Sequence, residues 1–215
     1  MNFMKNQGYL LIDAELGGSE FRSGKDAILE LALLTIPEPV VVTKEDAEDF
    51  IRERIVEGNV VHFVIKPYAE VSPKILETIL KKPIQYYVET GAAIDDVAAA
   101  LSAYLKGAKA EYPRLMPVSD WHGDIEVIEF LLARRGESLT NVIGTYDMFH
   151  LNSFLEGLLK PRGAEIETKL PHTHDPRDDV RELGEQFIKA RLYADRLIRS
   201  GRRQDPAQSV RASKV

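Results

Sequence analysis

Apolar residues fall in short strand-length runs early in the chain and at helical spacing later. GYLLIDAEL, residues 8–16, predicts a first strand, broken by Gly17, Gly18 and Ser19. AILELALLTI, residues 27–36, predicts a second, with helix as the competing reading, and Pro37 and Pro39 stop it. PVVVTK predicts a short strand or part of one, and EDAEDFIRERIVEG a helix ending at Gly58. NVVHFVIKP, residues 59–67, predicts another strand closed by Pro67. SPKILETILKK then opens a helix with Ser72 as N-cap and Pro73 at the first helical position. In AIDDVAAALSAYLK, residues 93–106, Ile94, Val97, Leu101 and Leu105 share one stripe of an amphipathic helix that Gly107 should end.

LMPVSD reads as a short buried strand. DIEVIEFLLARRG, from Asp124, predicts a helix with Ile125, Ile128, Leu131 and Leu132 inward and Gly136 as C-cap. TNVIGTYDMF is strand-like, and HLNSFLEGLLKPRG is helical up to Pro161. PHTHDPRDD begins a last helix running to about Gly201. No internal repeat is visible. Strands first, then helices alternating with short strands, imply an α/β chain with one central mixed sheet.

Composition narrows the function classes. The chain has 215 residues, most simply one domain, and 44% are hydrophobic, enough for a substantial core. No apolar run approaches the ~18–20 residues that span a bilayer, and MNFMKNQG lacks a signal-peptide core. The expectation is a cytoplasmic protein with no membrane partner. Cysteine is absent, which removes disulfides, thiolate zinc sites and a cysteine nucleophile. A net charge of −6 argues against a broad basic nucleic-acid footprint, but not against an enzyme whose clustered acids bind metal. Basic residues gather from Arg191 onward, as a solvated helix end plus a disordered tail or as a phosphate-contacting patch.

Three places carry candidate chemistry. Asp13 and Glu15 close the first strand, and residues i and i+2 of a strand share a face. Two like charges there are either a solvated strand end or a site for a hard divalent cation. Asp124 stands where a helix begins, as a plain N-cap or as a carboxylate projecting into a cleft beyond the preceding strand; Asp120 is its rival. In PHTHDPRDDV, Asp175 and Pro176 make a helix start that leaves Asp178 and Asp179 in the first turn, where acids suit the helix dipole. That account does not require His174, on the loop before the cap, and imidazole is well suited to accept a proton near neutral pH. His172, two residues earlier, is a second candidate.

Taken together these residues resemble the DEDDh group of 3′–5′ exonucleases, over roughly residues 8–200. Asp13-Ala14-Glu15 is similar to the first exonuclease motif, Asp124 ahead of an apolar helix to the second, and His174 with Asp179 to the third. NVVHFVIKPYAEVSPKILE is similar to the family's third strand and following turn. Two details differ: Pro176 stands where relatives often have alanine, and Trp121-His122-Gly123 replaces a longer lead of Asn-Xaa-Xaa-Phe type.

The resemblance implies a ribonuclease H-like fold, a central mixed sheet flanked by helices, with the exonuclease domain over residues 1–203 and a disordered tail over 204–215. It implies two Mg²⁺ (or Mn²⁺) ions held by Asp13, Glu15, Asp124 and Asp179, with Asp13 as the bridge. Such a pair stabilises both the attacking and the leaving oxygen of an in-line displacement. His174 would be the general base. The expected substrate is the 3′ end of single-stranded RNA or DNA, and the product a nucleoside 5′-monophosphate. Leu16 and Gly17 would contact the terminal sugar and base, and Trp121 or Tyr146 could stack on a base, against the plainer reading of each as a packed or rim residue. A homodimer is among the expectations, as in many relatives. The rivals are a non-catalytic module on the same fold and an HD-type metal phosphohydrolase suggested by His174-Asp175. The latter family is all-helical and needs further spaced histidines.

Overall fold

The computed structural model describes residues 7–144, 148–162, 166–170 and 172–203. Five strands form one sheet among them: β1 (Gln7–Leu16), β2 (Ile28–Pro37), β3 (Val61–Val64), β4 (Arg114–Ser119) and β5 (Phe149–His150). Their order is β3-β2-β1-β4-β5. The first three run antiparallel to their neighbours, while β4 lies parallel to β1 and β5 parallel to β4. The helices are α1 (Lys44–Phe50), α2 (Pro73–Ile75), α3 (Ile84–Thr90), α4 (Ile94–Glu111), α5 (His122–Ala133), α6 (Leu139–Ile143), α7 (Leu151–Leu159) and α8 (Pro176–Arg203). Wider π-type turns extend α1 through Val56 and α2 through Leu80.

Strand alternation sorts β1 between two cores. Leu10 and Ile12 meet Leu101 and Leu105 of α4 and Ile128 and Leu131 of α5. Tyr9 and Leu11, on the other face, meet Val180, Leu183 and Phe187 of α8. A side chain on Gly184 would come within 2.8 Å of Leu11 and Ile55, so this glycine lets α8 lie close on the sheet. A smaller cluster of Ala27, Leu29, Leu80 and Tyr87 roofs the end of β2. No helix among the described residues is long and apolar enough to cross a membrane.

Several elements differ from the sequence pattern. PVVVTK is not a strand: Val41 packs into the core while Val40 and Val42 are exposed. Both sides of β2 are already taken by β1 and β3, so β-propensity there finds no partner. Helix α4 runs past Gly107 to Glu111, because Ala108 extends its buried stripe by another turn. TNVIGTYDMF holds most of the short helix α6, capped by Ser138 and ended by Gly144 at φ 76°, and among its described residues only Phe149 is strand. The strand expected over 59–67 is confined to Val61–Val64. Helix α3, roofing Glu30 through Tyr87, has no strong sequence stripe and was not expected. The expected tail, 204–215, lies outside the described residues.

Candidate active site at the carboxyl ends of the central strands

Because β1 and β4 are parallel, their carboxyl ends open on the same edge of the sheet, where side chains from separate strands can converge on one ligand. Asp13 and Glu15 sit at that end of β1 and continue the face of Tyr9 and Leu11. Asp13 is opposite Ala32 and Glu15 opposite Glu30. Beyond Glu15 the register slips, so that Leu16 faces Ile28 and Leu29 is an extra residue in β2. Such bulges bend a strand and re-aim its side chains.

β4 delivers the next acids. Asp120 follows its last residue, and Trp121, not Asp124, is the N-cap residue of α5. Asp124 is therefore the third residue of the helix, within its first turn, and it is 2% exposed. The fully buried Ser119 hydroxyl lies 2.6 Å from Oδ2 of Asp124 and accepts the Trp121 amide at 3.0 Å.

Helix α8 supplies the last. The Asp175 carboxylate accepts the Arg177 amide at 3.1 Å, an N-cap bond, and Pro176 takes the first helical position. Asp179 then falls on the stripe of Leu183 and Phe187, which faces the sheet, so its carboxylate is carried inward. The Thr173 amide donates to its Oδ1 at 2.8 Å.

Carboxylate oxygens of Asp13, Glu15 and Asp179 lie within 4.8 Å of one another, and so do those of Asp13, Asp120 and Asp124. Asp13 is common to both groups. Its Oδ2 and the Oδ2 of Asp179 are buried with no hydrogen-bond partner among the described residues. Orphaned buried oxygens are uncommon and call for a missing ligand or a proton. Burial, then the neighbouring Asp124, Glu15, Asp179 and Asp120, push the Asp13 carboxyl well above the usual range. Glu15 is pushed up to about 8 by burial and then by Asp179, Glu30 and Asp124, with Lys82 opposing. Asp124 is pushed up to about 8 mainly by burial, against the Ser119 hydroxyl. Bare carboxylates crowded this way repel; an all-oxygen set of this kind fits hard divalent cations.

Both candidate histidines reach this place. Nδ1 of His174 is 3.8 Å from Oε1 of Glu15, and its backbone takes the left-handed conformation at φ 58°. His172 packs edge-on against it at 4.6 Å, with its Nδ1 3.5 Å from Asp179 and 3.3 Å from Glu182.

Leu16 is partly buried on the core at the end of β1. Gly17 hydrogen-bonds Ala27 and Ser72 through its backbone, each at 2.7 Å, in a space too tight for a side chain to enter freely. The Trp121 ring lies over Gly123, where a Cβ would be 2.2 Å from it, and is half exposed at the rim beside Asp124. Tyr146 lies outside the described residues.

Sequence reasoning missed the support behind Glu15. Glu30 is fully buried and hydrogen-bonded by His62 at 2.8 Å, Lys82 at 2.7 Å and Tyr87 at 2.8 Å. Lys82 also stands 3.7 Å from Asp175 at the head of α8. The available signal was one acid in the middle of the apolar run AILELALLTI.

This sheet order, with helices on both faces, defines the ribonuclease H-like fold, a central mixed sheet flanked by helices. Solved structures bear this out. Escherichia coli exonuclease I in complex with a dT13 oligonucleotide matches 90% of this chain and 43% of its own, with a TM-score of 0.63 at 16% identity. Cell-death related nuclease 4 (CRN-4) matches 86% of this chain and 63% of its own, at 0.59 and 13%. The nuclease domain of 3′hExo, a DEDDh family member bound to rAMP, matches 88% of this chain and 93% of its own, at 0.53 and 12%. The chain thus spans less than half the length of exonuclease I. No protein-family model matches the sequence, and no curated protein does.

Proposed function

We propose that the protein is a DEDDh-type, metal-dependent 3′–5′ exonuclease acting on single-stranded nucleic acid and releasing nucleoside 5′-monophosphates. The observation that carries this reading is the convergence of Asp13, Glu15, Asp124 and Asp179, from three separate elements, with two buried oxygens left unpartnered. Those four residues would hold the cations, two Mg²⁺ or Mn²⁺, with Asp13 shared between them. When bound, such a pair supplies positive charge to the attacking and leaving oxygens of an in-line phosphoryl displacement.

The chain's own groups do the rest. His174 reaches over Glu15 from a half-exposed loop and takes the proton from the attacking water. Thr173 fixes the loop by the hydrogen bond its backbone N–H donates to Asp179, and the Ser119 hydroxyl fixes the Asp124 carboxylate. Leu16 and Gly17 would meet the terminal sugar and base, and Trp121 offers a ring face for base stacking. The fold likeness to exonuclease I, whose structure holds a dT13 oligonucleotide, supports a single-stranded substrate.

The test is a 5′-labelled single-stranded oligonucleotide, in matched RNA and DNA forms, with Mg²⁺ or Mn²⁺ and with chelator. A ladder receding from the 3′ end, abolished by chelator, is expected. Label released at once as mononucleotide would mean the opposite polarity, and an intact oligonucleotide in every metal would leave only a binding module.

A further inference from the structure

The loop ahead of α8 carries two imidazoles, and the proposed chemistry uses one. We infer that His172, His174 and Asp179 form a mixed nitrogen–oxygen zinc site that shares Asp179 with the all-oxygen cluster, and that a zinc ion enters it to shut the enzyme down. Donor atoms of these three residues lie within 4.8 Å of one another. Nδ1 of His172 is 3.5 Å from Oδ1 of Asp179. With bonds of ~2.0–2.1 Å, ligands of a tetrahedral zinc stand about 3.3 Å apart, so little movement is needed to close the site. Two nitrogens and one oxygen favour zinc over Mg²⁺, which seeks oxygen alone.

The surroundings are built for a cation. Asp179 is 4% exposed, and its Oδ2 has no hydrogen-bond partner among the described residues. Oε1 of Glu182 is held by Gln186 at 3.0 Å and Thr168 at 3.3 Å, which turns Oε2 to His172 at 3.3 Å. This places a second carboxylate at ligand spacing. The left-handed backbone at His174 lies between the paired rings and the helix cap. Both imidazoles stay open to solvent, 54% and 41% exposed, so an ion can enter from outside. The two acids beside His172 account for its own contacts. They do not account for a second imidazole whose donor atom lies within 4.8 Å of the same carboxylate.

The consequence for activity rests on the exonuclease reading: zinc here would occupy His174, the proposed base, and Asp179, a proposed ligand of the working cations. Zinc binding itself does not depend on that reading, and the two are tested separately. The whole protein, saturated with Mg²⁺, is titrated with zinc while its histidine ring resonances are followed by NMR. Of the five histidines, His172 and His174 are expected to shift at one equivalent, and His62, His122 and His150 to stay in place.

Competition with a chromophoric chelator should then show His172→Ala binding zinc at least about tenfold more weakly, since even outer partners of metal ligands are worth ~10–100-fold. The zinc concentration that halves trimming should rise by the same factor. If no ring signal moves, or if His172→Ala binds zinc as tightly as the wild type, zinc sits on carboxylates alone and the site is overturned. Zinc bound at the rings with trimming unchanged overturns the inhibitory role. A protein that trims nothing in any metal sinks the exonuclease reading, while the ring shifts still decide the zinc site.

Discussion

Glu15 and Glu30 stand opposite each other on β1 and β2 and hold opposite preferences for charge. Burial works against ionised Glu30, but hydrogen bonds from His62, Lys82 and Tyr87 outweigh it and keep its carboxyl below the ordinary range. Glu15, beside it, is pushed up to about 8 by burial, then by Asp179 and Glu30. The sheet therefore spends its nearby cation, Lys82, on the supporting acid and leaves the candidate ligand short of positive charge.

Glu30→Gln tests this division. It strips a charge partner from Lys82 and His62, and breaking a buried ion pair costs about 3 kcal/mol or more. Lys82 can turn to Asp175, 3.7 Å away, so the lower end of that range is expected in urea unfolding. A loss below about 1 kcal/mol would mean that Glu30 is not charged in the native state.

The pH dependence follows from Glu15 and its neighbours. Its carboxyl rises from 4.5 in the unfolded chain to about 8 in the folded, metal-free protein. Through that interval the unfolded state has lost the proton that the native state keeps, so stability falls as pH rises. Asp13 and Asp124 shift the same way and add to the effect. Metal-free protein should thus melt at steadily lower temperature from pH 4.5 towards pH 8, and the rise in Tm given by Mn²⁺ should grow over the same range. A melting temperature that climbs with pH, without metal, would contradict the crowding of these acids.

Asp13→Asn removes the acid common to both carboxylate groups. Metal-dependent trimming should disappear and the Mn²⁺-induced rise in Tm should shrink, while the metal-free protein melts no lower than the wild type because a repulsive neighbour is gone. Trimming at the wild-type rate would exclude Asp13 from the site.

His174→Ala should lower the trimming rate by about 10²–10⁴, the usual worth of a positioned general base, and leave the Mn²⁺-induced rise in Tm nearly intact. Single-turnover rates on an oligonucleotide measure the first and thermal melts the second. Should His172→Ala produce the larger fall, the proton is taken by that ring instead.

Local patterns were legible where a residue's own neighbours decide its conformation. Asp175-Pro176 starts α8 where the cap chemistry says it should, and the β1 alternation puts Asp13 and Glu15 on one face. Legibility failed where packing overruled the pattern. The valines after Pro39 found no strand to pair with, and Gly107 did not end a helix whose buried stripe continued through Ala108. At the candidate site the sequence ordered the acids along the chain but left two pairs of rivals. The structure brings Asp120 and Asp124 both to Asp13, His172 to Asp179, and His174 to Glu15.

By itself, then, the sequence determined which segments were strand or helix over most of the chain, and that acids close the first strand and open two of the helices. Periodicity, capping and turn chemistry act over a few residues, so they can be read in a line. Only the tertiary structure decided that Glu30 meets His62, 32 positions away, and Tyr87, 57 away, and that one oxygen each of Asp13 and Asp179 is sealed from water without a partner among the described residues. Those facts depend on which surfaces are pressed together, and burial sets both the cost of a charge and what must offset it.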